Sequence, residues 1–119
     1  MEVLITGNGV KINSVLKAYI QRRIDFALSR FSNKVRRIRV VVTKKRCPEG
    51  GIEKLCRIRV QLLGNTTLAV SHSDNDFHSA ITHATDQIHR VVDRRIKFSR
   101  TFSVKERVDK GTMRGIESK

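Results

Sequence analysis

The sequence predicts an α+β fold in the order β-α-β-β-β-α, a four-stranded sheet with two helices packed on one face. Three observations carry that prediction. Short segments alternate apolar and polar residues with period two, two longer segments repeat apolar residues at three-and-four spacing, and Gly/Asn/Pro clusters separate them. One sheet with both helices on a single face lets every apolar stripe reach one core.

Val3 and Ile5 alternate with Glu2, Leu4 and Thr6 as a first strand, with Gly7-Asn8-Gly9 as its stop. Asn13 or Ser14 is placed to cap a helix running to about Phe31, because a short polar side chain accepts from a free N–H of the first turn. Leu16, Tyr19, Ile20, Ile24, Ala27, Leu28 and Phe31 form its apolar face. The second strand, about 36–45, turns Ile38, Val40 and Val42 one way and Arg37, Arg39, Val41, Thr43 and Lys45 the other. Cys47-Pro48-Glu49-Gly50-Gly51 is a loop. The third strand, about 54–63, points Cys56, Ile58, Val60 and Leu62 inward and Arg57, Arg59 and Gln61 outward. Gly64-Asn65 turns a hairpin into a fourth strand with Leu68 and Val70 inward.

A second helix is expected to open at Ser73–Asp76, which has the spacing of a capping box, and to end near Phe98. Its apolar face is Phe77, Ala80, Ile81, Ala84, Ile88, Val91, Val92 and Ile96, while His83, Arg90, Arg94 and Lys97 line another. After Ser99 polar and charged residues lose periodicity. Residues 1–99 therefore form one domain, and 100–119 read as a flexible basic and polar tail.

A chain of 119 residues buries one core and has no room for two. No stretch approaches the ~20 apolar residues of a membrane span, and the N-terminus lacks signal-peptide character. Cys47 and Cys56 form no disulfide framework, so a cytoplasmic location is expected.

Charge narrows the function. Lys and Arg number 25 against 11 Asp and Glu, a formal net charge of +14. Between Arg22 and Arg46 stand ten basic residues (Arg22, Arg23, Arg30, Lys34, Arg36, Arg37, Arg39, Lys44, Lys45, Arg46) and one acid, Asp25. Charge of this size repels itself in a compact domain, and polyanionic nucleic acid is the partner that relieves it, since each neutralised phosphate releases a counterion. Solubilising charge alone would scatter both signs. On the open sheet face Arg37, Arg39, Lys45, Arg57 and Arg59 would stand in rows, an arrangement that costs stability. Long side chains merely covering a wet sheet are the alternative reading.

Other chemistries find little support. Gly7-Asn8-Gly9 has Ile12 where a dinucleotide fingerprint needs its third glycine. The two cysteines form no CxxC, and no cofactor or metal is expected. His72, His78, His83 and His89 read as surface or capping residues, their spacings of five and six unlike the helical HExxH. No serine occupies a nucleophile elbow, and the acids form no acid/base pair, so no enzymatic activity is expected. Tyr19, Phe31 and Phe77 fall on core faces, which leaves phosphates and RNA shape as the features recognised.

Val3-Leu4-Ile5-Thr6-Gly7, the helix segment Leu16-Lys17-Ala18-Tyr19-Ile20 ending at Arg30-Phe31, the strand Ile38-Arg39-Val40-Val41-Val42, and Asp76-Phe77-His78-Ser79-Ala80-Ile81 together resemble the ribosome hibernation-promoting factor and ribosome-associated translation inhibitor family. The likeness covers about residues 1–98. It implies the same β-α-β-β-β-α fold, bound in the decoding channel of the small ribosomal subunit, overlapping messenger and transfer RNA, inhibiting translation and preserving idle ribosomes under stress. It also implies basic side chains against ribosomal RNA, with Arg30, Arg90, Arg94 and Lys97 matching best by position. Gln87, Asp93 and a longer Cys47–Gly51 loop depart from the family's pattern. The chain resembles the family's short form.

The expected interface is Arg22, Arg23, Arg30, Arg37, Arg39, Lys45, Arg57, Arg59, Arg90, Arg94 and Lys97. The partner is the small subunit and its ribosomal RNA, with no membrane, no small-molecule substrate and a monomeric free state. The rivals are a generic structured-RNA-binding module and a small regulatory protein for an acidic protein partner.

Overall fold

A computed structural model describes the backbone of residues 1–108 and the side chains of residues 1–98. The elements follow in the order β1 (Glu2–Asn8), α1 (Ser14–Leu28), a 3₁₀ turn (Ser29–Phe31), β2 (Val35–Arg46), β3 (Ile52–Leu62), β4 (Thr67–Asp74) and α2 (Phe77–Val108). This is the expected α+β architecture. The chain divides into two compact units, Met1–His89 and Arg90–Lys119.

In the first unit the strands lie in the order β1-β2-β3-β4. β1 runs parallel to β2, which forces the chain to cross over between them through α1. The β2–β3 and β3–β4 pairs are antiparallel. A bulge between Val35 and Arg37 lets both Val35 and Ile38 turn inward although they are three residues apart. From Ile38 onward strict alternation resumes and fixes the outward phase of Arg37 and Arg39.

The core is the inner sheet face and the helix stripes. Ile38, Val40, Val42, Cys56, Ile58 and Val60 are fully buried, as are Ile20, Ile24 and Leu28 of α1 and Ala80, Ile81, Ala84 and Ile88 of α2. Burial pushes the Cys56 thiol pKa up to about 12, so the group behaves as a small apolar side chain. The helices join by a hydrogen bond between the Tyr19 and Thr82 hydroxyls and by His89 Nδ1 against the Ala27 carbonyl at 2.7 Å. Thr85 is buried and satisfied locally, donating its hydroxyl to the Ile81 and Thr82 carbonyls.

Four boundaries differ from expectation, each for a local reason. Gly7 and Asn8 continue β1 opposite Val42 and Thr43 instead of ending it. The chain folds back just after them, and a Cβ at Gly7 would stand 2.3 Å from the Val10 carbonyl oxygen, so only glycine fits. Helix α1 gives way at Ser29 to a 3₁₀ turn that carries Phe31 into the core. Ser73 belongs to β4 and takes no part in a capping box; Asp76 alone caps α2, accepting from Ser79 N–H at 3.1 Å. That bond holds the Asp76 carboxyl below the usual carboxylate range, since it favours the charged form. Helix α2 also continues past Phe98 to Val108, so the expected boundary at residue 100 falls inside it. The remainder of the expected tail, 109–119, lies outside the described residues.

In the second unit the described side chains continue the helical pattern. Val92 is buried, Arg90 and Arg94 are exposed, and Lys97 pairs with Asp93 one turn earlier at 3.1 Å.

Candidate nucleic-acid interface

The open face of the sheet is built by strand alternation. Arg37 and Arg39 on β2 and Arg57 and Arg59 on β3 all project from it and are all exposed. Register sets the details: Arg39 stands directly opposite Arg59, with Leu4 and Ala69 as their outer neighbours. Arg57 lies between Val41 and Ser71. Arg37 faces Gln61 on one side and Glu2 on the other, and donates to Glu2 through Nε at 3.0 Å. Arg37, Arg39, Arg59, Gln61 and Thr67 together line a shallow open depression.

Among the described residues neither Arg39, Arg57 nor Arg59 has an acidic partner within ion-pair distance. Two guanidinium groups paired across adjacent strands repel, and among the described residues the only acid bonded to the group is Glu2 at the sheet edge. Guanidinium forks with free donors suit phosphate oxygens. Lys45 is exposed near the end of β2, opposite Glu53.

The helical segments carry a second set. Arg22 is exposed on α1, and Arg30 lies in the 3₁₀ turn with its guanidinium 4.9 Å from the centroid of the Phe31 ring. Arg23 plays a different part. It donates to Asp86 at 2.9 Å and approaches Thr85 Oγ1 at 3.4 Å, tying α1 to α2. Arg90, Arg94 and Lys97 follow one another on α2 at spacings of four and three, within the second unit.

One residue escaped the sequence reading. Phe26 on α1 is 78% exposed, with the Arg23 guanidinium 5.7 Å from its ring centroid. Its position between Ile24 and Ala27 puts it off the buried stripe, a phase that the helical spacing contains. The three aromatics expected on core faces do pack inward: Phe31 is buried, and Tyr19 and Phe77 are half-buried.

A small mixed sheet, backed by two helices and bearing arginines on its uncovered face, defines a basic α+β domain. The chain matches the family described as sigma 54 modulation protein / S30EA ribosomal protein over residues 3–98, and it belongs to that family of ribosome-associated factors. Solved structures share its fold, among them the following two. The Protein Y N-terminal domain of Thermus thermophilus is 21% identical with a TM-score of 0.65, covering 79% of this chain and 98% of that one. A ribosomal subunit interface protein from Coxiella burnetii is 15% identical with a TM-score of 0.67, covering 82% and 99%. Comparison with functionally curated proteins returns no match. No described helix is long and apolar enough to cross a membrane.

Proposed function

We propose that this chain binds ribosomal RNA in the decoding channel of the small subunit, inhibits translation there and stabilises idle ribosomes. Occupation of the channel is steric, and no catalysis is involved. The observation that carries the reading is the Arg39–Arg59 pair, two exposed arginines opposed across β2 and β3 on the open sheet face with no acidic partner among the described residues. Arg22 and Arg30 stand on the helical side of the same unit, away from that face. A partner that meets only one side of the domain leaves one set unused, whereas a channel lined by RNA meets both.

Arg37, Arg39, Arg57, Arg59 and Lys45 contact phosphates from the sheet side. Arg22 does so from α1, Arg30 from the 3₁₀ turn, and Arg90, Arg94 and Lys97 from α2. Phe26 offers an exposed ring on which an unstacked base can lie beside the arginines. Arg23, engaged with Asp86, positions α1 and makes at most a secondary contact. Family membership supports the ribosome as the source of the RNA. Cytoplasmic location and a monomeric free state complete the reading.

Sedimentation with purified small subunits in the presence of labelled initiator transfer RNA tests it. The protein is expected to pellet with the subunit and to release the transfer RNA. Pelleting with the transfer RNA still bound would move the site out of the channel. Binding of structured RNA without preference for subunits would favour the generic module.

A further inference from the structure

We propose that His72, Asp74 and His83 form a binding site for a divalent transition-metal ion of the zinc type at the corner where β4 gives way to α2. His72 and Asp74 are two residues apart on one strand, so the pleat sends both side chains to the same face, the one that also carries Leu68 and Val70. His83 reaches that face from the early part of α2. The imidazole centroids of His72 and His83 are 4.6 Å apart, and His83 Nδ1 is 3.9 Å from Asp74 Oδ2. One donor atom from each of the three residues lies within 4.8 Å of the other two.

These distances are close to what a metal requires. Zinc bonds of about 2.0–2.1 Å in tetrahedral geometry place neighbouring donors about 3.4 Å apart. The remaining contraction needs side-chain rotation only, and His83 is exposed enough to rotate. Asp74 is already oriented: its Oδ1 accepts from the Asn75 backbone N–H at 2.7 Å, which leaves Oδ2 directed at His83. A hydrogen bond of this kind to a ligating carboxylate fixes its geometry and raises affinity.

The donor set selects the ion. Two imidazoles and one carboxylate suit zinc, nickel or copper, whereas magnesium and calcium demand a shell of oxygens that one carboxylate does not supply. Lys54 is the positive group facing the site, paired with Asp74 in the β3–β4 register. Its amine is drawn away, donating to the Asn75 carbonyl at 3.0 Å and lying 5.7 Å from the Phe77 ring centroid. Three protein ligands leave a fourth position open to water. The bound ion would clip β4 to α2, two elements that the sequence joins only through a short turn.

The site was hidden from sequence spacing because its histidines are not on one element. His72 is a strand residue, and its partner on α2 is brought to it by the turn at Asn75-Asp76.

Titration of the full chain with zinc chloride, followed calorimetrically and by the visible absorption of Co²⁺ as a substitute, tests the proposal. One ion per chain is expected, with zinc raising Tm because only the folded state assembles the three donors. H72A and H83A should each weaken binding at least tenfold and abolish the Tm rise, while H78A should leave both as in the parent. Equimolar magnesium should not compete. Circular dichroism of the metal-free variants provides the folding control, and the imidazole nitrogen shifts of His72 and His83 on zinc addition give a second readout in the unsubstituted protein. Absence of a one-to-one site, or a site whose affinity H72A and H83A leave unchanged, would overturn it.

Discussion

Arg39 and Arg59 face each other directly across β2 and β3 on the uncovered side of the sheet, with no acidic side chain bonded to either among the described residues. A domain needing only to fold gains nothing from that pairing. Its cost is measurable. Replacing Arg59 with Gln keeps much of the side-chain stem over the sheet and removes one charge. R59Q is expected to raise stability by roughly 0.2–1 kcal/mol at low salt, the range for cross-strand pairs. The gain should shrink as salt screens the repulsion. Thermal denaturation at two ionic strengths checks this, and a destabilised R59Q at low salt would show that the pair is packed favourably.

Ribosome affinity should fall steeply with salt. Each phosphate contact contributes roughly 0.9 to the double-logarithmic slope on a B-form duplex and about 0.7 on single strands. The basic groups on the two sides of the domain are numerous enough that a slope of several units is expected. Affinity measured by sedimentation across a salt series checks it, and a flat profile would exclude phosphate contacts as the source of binding.

Phe26 should matter for binding and little for folding. Its ring is 78% exposed, so F26A removes almost no buried surface and should leave Tm near that of the parent. Loss of a stacked base would weaken ribosome binding by about 1–3 kcal/mol. Equal affinity of F26A and parent would remove the ring from the interface.

Most of the fold was legible because its signals are local and redundant. The alternation of Ile38, Val40 and Val42 against Arg37 and Arg39 appears unchanged in the structure, as does the buried stripe of Ile20, Ile24 and Leu28. Gly64-Asn65 forms its hairpin turn with positive φ at both residues. The misplaced boundaries sit where a tertiary contact overrides local chemistry. Gly7 reads as a stop yet extends β1, because pairing with β2 and the close approach of Val10 outweigh its weak strand preference. Ser73 reads as half of a capping box, but β4 claims it through pairing with Leu55.

The candidate interface was legible to the extent that it follows from alternation. Arg37, Arg39, Arg57 and Arg59 share a face because they are odd-numbered positions on two strands in matching register. Individual partners were not legible. That Arg23 is engaged by Asp86, Arg37 by Glu2 and Lys97 by Asp93 depends on side-chain reach, two of the three across long sequence separations. Phe26 was readable from helical phase alone, while the His72–His83 approach required the turn between β4 and α2.

The central claim is that RNA surrounds this domain, and comparing two multiple variants on two targets tests it most directly. One variant removes the sheet set (R37A/R39A/R57A/R59A). The other removes the helical set (R22A/R30A/R90A/R94A/K97A) and spares Arg23, whose pairing with Asp86 holds the helices together. Circular dichroism first establishes that both variants fold. Sedimentation with small subunits should then show both bound more weakly than the parent, whereas binding to an isolated RNA duplex should depend on one set only. A sheet variant that binds small subunits as tightly as the parent would contradict the account.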